Sequence, residues 1–261
     1  MKTYSLFEPF GEQIVAITTS RRGGISRGAY ASMNLCHYVG DADEHVKANR
    51  LLFCKHMGVT PERFFMPRQT HGDNVLKIDD DFLKLPKRSQ MCLLEGVDAL
   101  ITDRKRVCIG ISTADCVPVF LYDSAKQAVA VIHAGWRGTI ARIVTKAFLM
   151  MQDVYQSDRK DLYAVIGPCI SQANYEIGDE LYDLFEKSRF PVDRLFEKEA
   201  AALKWHLDLR ESNRWLLMEM NIPAQHIEVS DICTYDQSDI YFSARQSGIR
   251  SGRIASCIML K

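Results

Sequence analysis

The sequence lacks an excess of charge of either sign. Lysine plus arginine and aspartate plus glutamate each total 33 over 261 residues, so the formal net charge is zero. Binding to a nucleic-acid backbone or an anionic membrane surface usually depends on a basic field. The balance argues against nucleic-acid and membrane partners, and any anionic substrate would have to be held by locally placed arginines.

Long hydrophobic runs and export signals are also missing. No stretch approaches the roughly 18 consecutive apolar residues of a membrane span. The opening segment MKTYSLFEPFGEQ lacks the basic start and apolar run of a secretory signal. We therefore expect a cytoplasmic protein whose eight cysteines are reduced thiols. The CxxC and HExxH signatures of common zinc sites are absent as well.

The composition is that of a globular protein, with 47% hydrophobic and 25% charged residues. No internal repeat, low-complexity tract or linker divides the chain, so residues 1–261 are predicted to form a single domain. Short runs rich in β-branched residues predict strands. They lie at 13–19, 74–78, 97–102, 107–112, 117–122, 127–133 and 162–167.

Helical patterns alternate with these predicted strands. Asp43 is placed to cap a helix over 44–57, and further helices are predicted at 139–155, 178–188 and 207–220. The four runs between 97 and 133 are expected to form a central sheet. The prediction is an α+β fold of mixed α/β layers, in which a central mixed β-sheet is flanked by helices.

Three segments each place a metal-capable side chain beside a small or polar residue at a strand end. They are QTHG with His71, TADC with Cys116, and HAGWRG with His133. A hairpin turn at 123–126 would bring Cys116 and His133 together across neighbouring strands. Two imidazoles and one thiolate suit Zn²⁺ and leave a fourth position open, as a catalytic site requires.

A second chemical interpretation uses the same residues without a metal. Cys116 and His133 would form the thiolate and imidazole pair of a cysteine hydrolase, oriented by Asp115 or Gln69. Spacing alone does not separate this interpretation from a zinc site.

Arginines beside glycines form another group. Arg21 and Arg22 lie in SRRGGIS, and Arg137 follows Trp136. Glycine lets backbone amides approach an anion and guanidinium groups hold phosphate bidentately, so these loops suit a phosphorylated substrate or phosphate. Gln69, Asn34, Tyr175 and Arg245 are further candidate substrate-binding residues.

Taken in order, the segments resemble the YfiH-like, laccase-domain family, also named multicopper polyphenol oxidases or purine nucleoside phosphorylases. The resemblance runs from SRRGGISRGAYASMNL through QTHG, DALITD, TADCVPV, HAGWRGT, IGPCI and NYEIGDE to FSARQSGIRSGR. It departs at Ser20, where the family often has threonine, and at Gln246, where a second basic residue is common.

The resemblance implies a YfiH-like fold and a zinc enzyme whose ligands are His71, Cys116 and His133. The implied substrates are a purine nucleoside and phosphate, with phosphorolysis of adenosine, inosine, guanosine and methylthioadenosine and with adenosine deamination. Asp115 is predicted to move the proton.

Two alternatives come with the same family. A copper-dependent polyphenol oxidase would need a blue-copper site and a histidine-rich cluster, which seven histidines with two well placed do not supply. An enzyme that edits cell-wall precursors would use the same residues on a peptide-like substrate. The sequence carries no signal for an oligomeric state.

Overall fold

The computed structural model describes residues 1–199 and 204–261. Within these ranges the strands form sheets of six, four and three strands. The strands are β1 Ile14–Thr18, β2 Phe64–Phe65, β3 Val75–Lys77, β4 Ala99–Thr102, β5 Cys108–Thr113, β6 Val117–Asp123, β7 Ala128–Ala134, β8 Leu162–Ile166, β9 Glu176–Ile177, β10 Phe196–Lys198, β11 Trp205–Leu207, β12 Ile227–Val229 and β13 Ile254–Leu260.

The helices of the same ranges lie between and beside these strands. They are α1 Asp43–Met57, α2 Asp80–Lys84, α3 Lys87–Leu93, α4 Trp136–Ile140, α5 Ile143–Tyr155, α6 Asp179–Lys187, α7 Val192–Leu195, α8 Leu209–Glu219 and α9 Ala244–Ser247. None of the helices described is long and apolar enough to cross a membrane.

The six-stranded sheet is mixed, with the order β12-β8-β6-β7-β4-β3. Its centre is the antiparallel hairpin of β6 and β7, in which Val117 lies opposite Ala134 and Pro118 opposite His133. Strands β3 and β12 pair parallel to their neighbours. This register places the start of β6 and the end of β7 at the same edge, where the predicted metal ligands lie.

Strand β5 belongs to a second sheet with the order β1-β13-β5-β2. The expectation that segment 107–112 belongs to the central sheet was therefore wrong. The apolar run indicated a buried strand, but its main partner, β13, lies more than 140 residues further along the chain and no local pattern indicates that pairing. The chain crosses from one sheet to the other through residues 114–116.

The side-chain alternation of β7 shows how the layers pack. Ala130 and Ile132 face a core shared with α5 and α8, whereas Val129 and Val131 face a core shared with β5 and β13. Helix α1 covers the outer face of the four-stranded sheet. The result is a helix, sheet, sheet, helix stack, and the predicted α+β class with mixed layers is confirmed.

Two helix boundaries differ from prediction. The segment 139–155 is interrupted at Arg142, whose left-handed backbone (φ 60°) separates α4 from α5. Asp43 is the first residue of α1 and not its cap, since Ala42 occupies the capping position. The carboxylate still lies in the first turn, where its negative charge interacts favourably with the positive end of the helix dipole.

Candidate metal centre

His71, Cys116 and His133 converge from three separate parts of the chain. His71 lies in the loop between β2 and β3, Cys116 immediately precedes β6, and His133 is the penultimate residue of β7. Their ligand atoms all lie within 4.8 Å of one another. The two imidazole rings meet edge to face, with centroids 4.8 Å apart.

The buried carboxylate of Asp98 fixes the orientation of His133. Nδ1 of His133 lies 2.7 Å from Oδ1 of Asp98. An ionised carboxylate can only accept a hydrogen bond, so Nδ1 carries the proton and donates it. Nε2 is then free as a metal ligand, which is the carboxylate–histidine arrangement commonly found behind metal sites.

Asp98 also holds the loop that carries His71. Its two oxygens accept the backbone N–H groups of Thr70, His71 and Gly72 at 3.2, 3.0 and 2.8 Å. Burial alone would raise the pKa of Asp98, but the hydrogen bond and charge of His133 and the backbone donors outweigh it and lower the pKa. Asp98 was not predicted from the sequence, although a carboxylate at the start of the apolar run DALIT was a detectable signal.

Cys116 and His133 influence each other strongly in the metal-free protein. Burial would raise the pKa of the Cys116 thiol, but the charge and hydrogen bonds of His133 and His71 lower it to about 6. Burial would lower the pKa of His133, but the Cys116 thiolate and Asp98 raise it to about 9. The cluster therefore favours a thiolate, the form of cysteine that binds metals.

The donor set and its spacing fit a tetrahedral ion such as Zn²⁺. Ordinary Zn–N and Zn–S bond lengths imply ligand separations of roughly 3.4–3.6 Å, which small side-chain rotations could reach from the observed cluster. Gly135 permits this approach, because an added Cβ would lie 3.2 Å from Cδ2 of His71 and 3.3 Å from Sγ of Cys116. Across residues 1–199 and 204–261, no second group of three metal-capable side chains is present.

The cluster lies in a cavity of about 730 Å³, within the size range of small-molecule sites, roughly 300–1,000 Å³. Its wall is cationic, since Arg245, Arg250 and Arg253 line it. The Arg253 guanidinium donates to the backbone carbonyls of Ile249, Ser251 and Gly252. Among the described residues, none forms a hydrogen bond or ion pair with the guanidinium of Arg250.

Four of the other predicted site residues line the same cavity: Gln69, Asp115, Tyr175 and Arg245. The Arg245 guanidinium lies 5.3 Å from the centre of the Tyr175 ring and donates to the carbonyl of Glu176. Gln69 is held by Ser112, to whose carbonyl it donates and whose backbone N–H it accepts, both at 2.8 Å. The Arg137 guanidinium packs on the Trp136 ring, 4.1 Å from the centre of that ring. Burial raises the pKa of Tyr175, and the positive charge of Arg137 partly opposes this rise.

Four predicted residues do not line the cavity: Arg137, described above, and Arg21, Arg22 and Asn34. Arg21 donates to the carbonyls of Ala31 and Ser238, and Arg22 pairs with Asp239 at the surface. The buried Asn34 amide donates to the Cys36 carbonyl and the Asp41 carboxylate and accepts from the Arg253 backbone. Arg250 and Arg253, which line the cavity but were not predicted as site residues, lie in the segment GIRSGR.

A cluster of two histidines and one cysteine at the ends of β6 and β7, in a cavity with a cationic wall, defines a candidate metal-dependent enzyme. The chain belongs to the family described as multi-copper polyphenol oxidoreductase laccase, whose sequence profile matches residues 15–261.

The chain resembles named relatives over almost its whole length. It is 44% identical to a purine nucleoside phosphorylase of Bacteroides thetaiotaomicron over 93% of this chain and 90% of the relative. It is 41% identical to the adenosine deaminase RL5 of an unknown prokaryotic organism, over 96% and 95%. The crystal structure of the Bacillus licheniformis hypothetical protein YfiH superposes with a TM-score of 0.86 at 31% identity, over 95% of this chain and 93% of that one. The predicted family and the prediction that the chain is an enzyme are confirmed.

Proposed function

We propose that this chain is a zinc-dependent purine nucleoside phosphorylase that also deaminates adenosine, working as a single catalytic domain in the cytoplasm. The observation that carries the proposal is the convergence of two imidazoles and a thiolate beneath a cavity whose wall carries arginines. The names of the relatives supply the substrate class.

The metal would be held by His71, Cys116 and His133, with Asp98 orienting the last of these. A zinc ion bound there supplies a Lewis acid and lowers the pKa of water. The chain itself supplies position and charge.

Phosphate is assigned to the arginine wall. Arg250 is the strongest candidate contact, because the guanidinium groups of Arg245 and Arg253 already donate to backbone carbonyls. A phosphate oxygen held there would attack C1′ of the ribose while the C1′–N9 bond breaks, giving ribose 1-phosphate and the free base. Correct placement of the two reactants accounts for much of such a rate enhancement.

Tyr175 is the candidate platform for the purine. Its ring lies at the cavity wall, with the Arg245 guanidinium 5.3 Å from its centre. An aromatic ring stacks on any base with little sequence preference, which suits a site that accepts several nucleosides. Adenosine, inosine, guanosine and methylthioadenosine are therefore all proposed substrates.

Deamination uses the same cavity and is favoured by the likeness to a named adenosine deaminase. Water would attack C6 of the adenine ring and ammonia would leave, giving inosine. The reaction needs no phosphate, which separates it experimentally from phosphorolysis.

The deciding experiment is product identification with metal-quantified protein. Adenosine is incubated with and without phosphate, and the products are resolved by chromatography. Adenine with ribose 1-phosphate, formed only with phosphate, demonstrates phosphorolysis, and inosine demonstrates deamination. His133→Ala should lose zinc and both activities, and Arg22→Ala, a surface variant, should retain them. Absence of both products with zinc-loaded protein would refute the proposal.

One geometric observation favours a second candidate, the cysteine hydrolase. The side chains lie in the order of a nucleophile, a base and an orienting carboxylate: the ligand atoms of Cys116 and His133 lie within 4.8 Å of each other, and Nδ1 of His133 lies 2.7 Å from Oδ1 of Asp98. Such an enzyme would keep its activity after chelation and lose it to an alkylating agent. A zinc enzyme loses activity to a strong chelator and regains it with zinc.

The two remaining alternatives give different results in the same preparation. A polyphenol oxidase would contain several copper atoms per chain and oxidise phenols, which elemental analysis and a phenol assay test. An editing enzyme would release an amino acid from a cell-wall precursor while leaving nucleosides intact.

A further inference from the structure

Asp115 has an unusual backbone conformation, and its side chain accepts three hydrogen bonds. Its φ of 89° lies in the left-handed region that residues other than glycine rarely adopt. The side chain is buried, and its carboxylate accepts hydrogen bonds from Thr234 Oγ1 at 2.7 Å, Ser243 Oγ at 3.0 Å and the backbone N–H of Arg245 at 2.7 Å.

These contacts join segments that are distant in the sequence. Asp115 directly precedes the ligand Cys116, at the point where the chain crosses between sheets. Ser243 and Arg245 lie at the start of α9, and the segment that follows carries Arg250 and Arg253 to the cavity. We call residues 243–253 the arginine arm. The backbone carbonyl of Asp115 also accepts the N–H of Ile170, another cavity residue.

The arm has few other polar attachments to the metal centre. Arg245 donates to the Glu176 carbonyl, the Gly252 backbone donates to the Ala29 carbonyl, and the Arg253 backbone donates to Asn34. Among these hydrogen bonds, only the ones to the Asp115 carboxylate connect the arm to a residue that directly neighbours a metal ligand. Hydrogen bonds to an ionised acceptor are stronger than those between neutral groups, so this connection is the strongest of the set.

We propose that Asp115 is a positioning residue that holds the arginine arm at a fixed distance from the metal ligand Cys116. The inference deepens the proposed function, on which its phosphate component rests. It replaces the proton-transfer role that the sequence suggested for Asp115, because three donors already point at this carboxylate.

The test compares Asp115→Asn with two variants that remove its partners, Ser243→Ala and Thr234→Val. The asparagine keeps the size of the side chain but turns an NH₂ group towards donors. Asp123→Asn is the matched control, since Asp123 is a buried carboxylate that accepts two backbone N–H groups at the far end of β6. Zinc content and the dissociation constant for inorganic phosphate are measured on each protein.

We expect Asp115→Asn to weaken phosphate binding on the order of tenfold, the effect of losing about one charge-assisted hydrogen bond. Ser243→Ala should weaken it in the same direction by a smaller factor, and Asp123→Asn should leave it unchanged. Trypsin should cleave the arginine arm, after Arg245, Arg250 or Arg253, faster in Asp115→Asn and Ser243→Ala than in the wild type. This readout needs no turnover.

Kinetics separate positioning from proton transfer. A positioning role predicts that Asp115→Asn raises the KM for phosphate and leaves the shape of the pH profile of kcat unchanged. Ser243→Ala and Thr234→Val should show the same change in KM to a smaller degree. Loss of one limb of the pH profile in Asp115→Asn, with phosphate binding and cleavage as in the wild type, would overturn the inference.

If Asp115→Asn does not fold, the other two variants decide by the same measurements, and wild-type phosphate binding and cleavage in both would overturn the proposal. Lack of purine turnover by the wild-type protein would refute the proposed function alone. The cleavage rates would still report whether Asp115 holds the arm.

Discussion

Substitution of Asp98 by asparagine tests whether one buried carboxylate organises both candidate histidine ligands. Oδ1 accepts from the His71 backbone and from Nδ1 of His133, and Oδ2 accepts from the Thr70 and Gly72 backbones. An asparagine keeps one oxygen and must turn its NH₂ group towards one of these two pairs. If the NH₂ group faces His133, the imidazole can relieve the conflict by moving its proton to Nε2, the nitrogen needed for the metal.

The expected loss has two components. Changes to carboxylates behind metal-binding histidines typically cost about 10- to 100-fold in metal affinity, or about 1.4–2.7 kcal/mol. Two hydrogen bonds to a charged acceptor are also lost, at about 1.5 kcal/mol or more each. We therefore expect the metal-free variant to be less stable than the wild type by about 3 kcal/mol.

Zinc affinity is measured by competition with a chromophoric chelator, and stability by denaturant unfolding of the metal-free protein. Asp123→Asn again serves as the control, because it removes a buried carboxylate that accepts backbone N–H groups far from the ligands. It should lower stability and leave zinc affinity unchanged. An Asp98→Asn protein that binds zinc as tightly as the wild type would refute the reasoning.

Three further outcomes are expected. Gly135→Ala should lower zinc affinity while every donor remains, because its Cβ would crowd His71 at 3.2 Å and Cys116 at 3.3 Å; normal affinity in the purified variant would contradict this. Gly110→Ala should lower the free energy of unfolding by about 1–3 kcal/mol, because its Cβ would lie 2.6 Å from Sγ of Cys257 inside the four-stranded sheet. Denaturant unfolding measures this loss, and an unchanged free energy would contradict the prediction. In the metal-free protein the thiolate of Cys116 forms as the pH rises through about 6, so the rate of its alkylation should reach half its maximum near that pH. Bound zinc should suppress the alkylation. A midpoint near the ordinary thiol pKa, about 8.5, would refute the assigned electrostatics.

Among the described residues, local sequence patterns predicted strands β1 and β3 to β8 but missed β13, and they identified strand partners poorly. The predicted segment 117–122 corresponds to β6, and 127–133 corresponds to β7. The hairpin joining them could be predicted because four residues separate two apolar runs. The second sheet could not be predicted, because β5 pairs with β13 and no feature of either strand identifies its partner.

The same limit applied to the site. The three candidate ligands could be identified because imidazole and thiolate groups beside glycine at strand ends are chemically conspicuous. Their convergence depends on the crossing at 114–116, which is a tertiary feature. Arg21 and Asn34 resembled binding residues by their neighbours, but backbone carbonyls and a buried carboxylate engage them instead.

The left-handed backbone of His71 has a consequence for protein engineering. Its φ is 60°, a conformation that costs a residue with a Cβ about 1–2 kcal/mol relative to glycine. His71 is an exposed residue whose ring contacts the ring of His133, so a change to glycine would relieve this cost at the loss of that contact. Directed evolution for heat tolerance of the metal-free protein would favour glycine at this position and remove the candidate ligand, so such an experiment needs a parallel selection that retains histidine here.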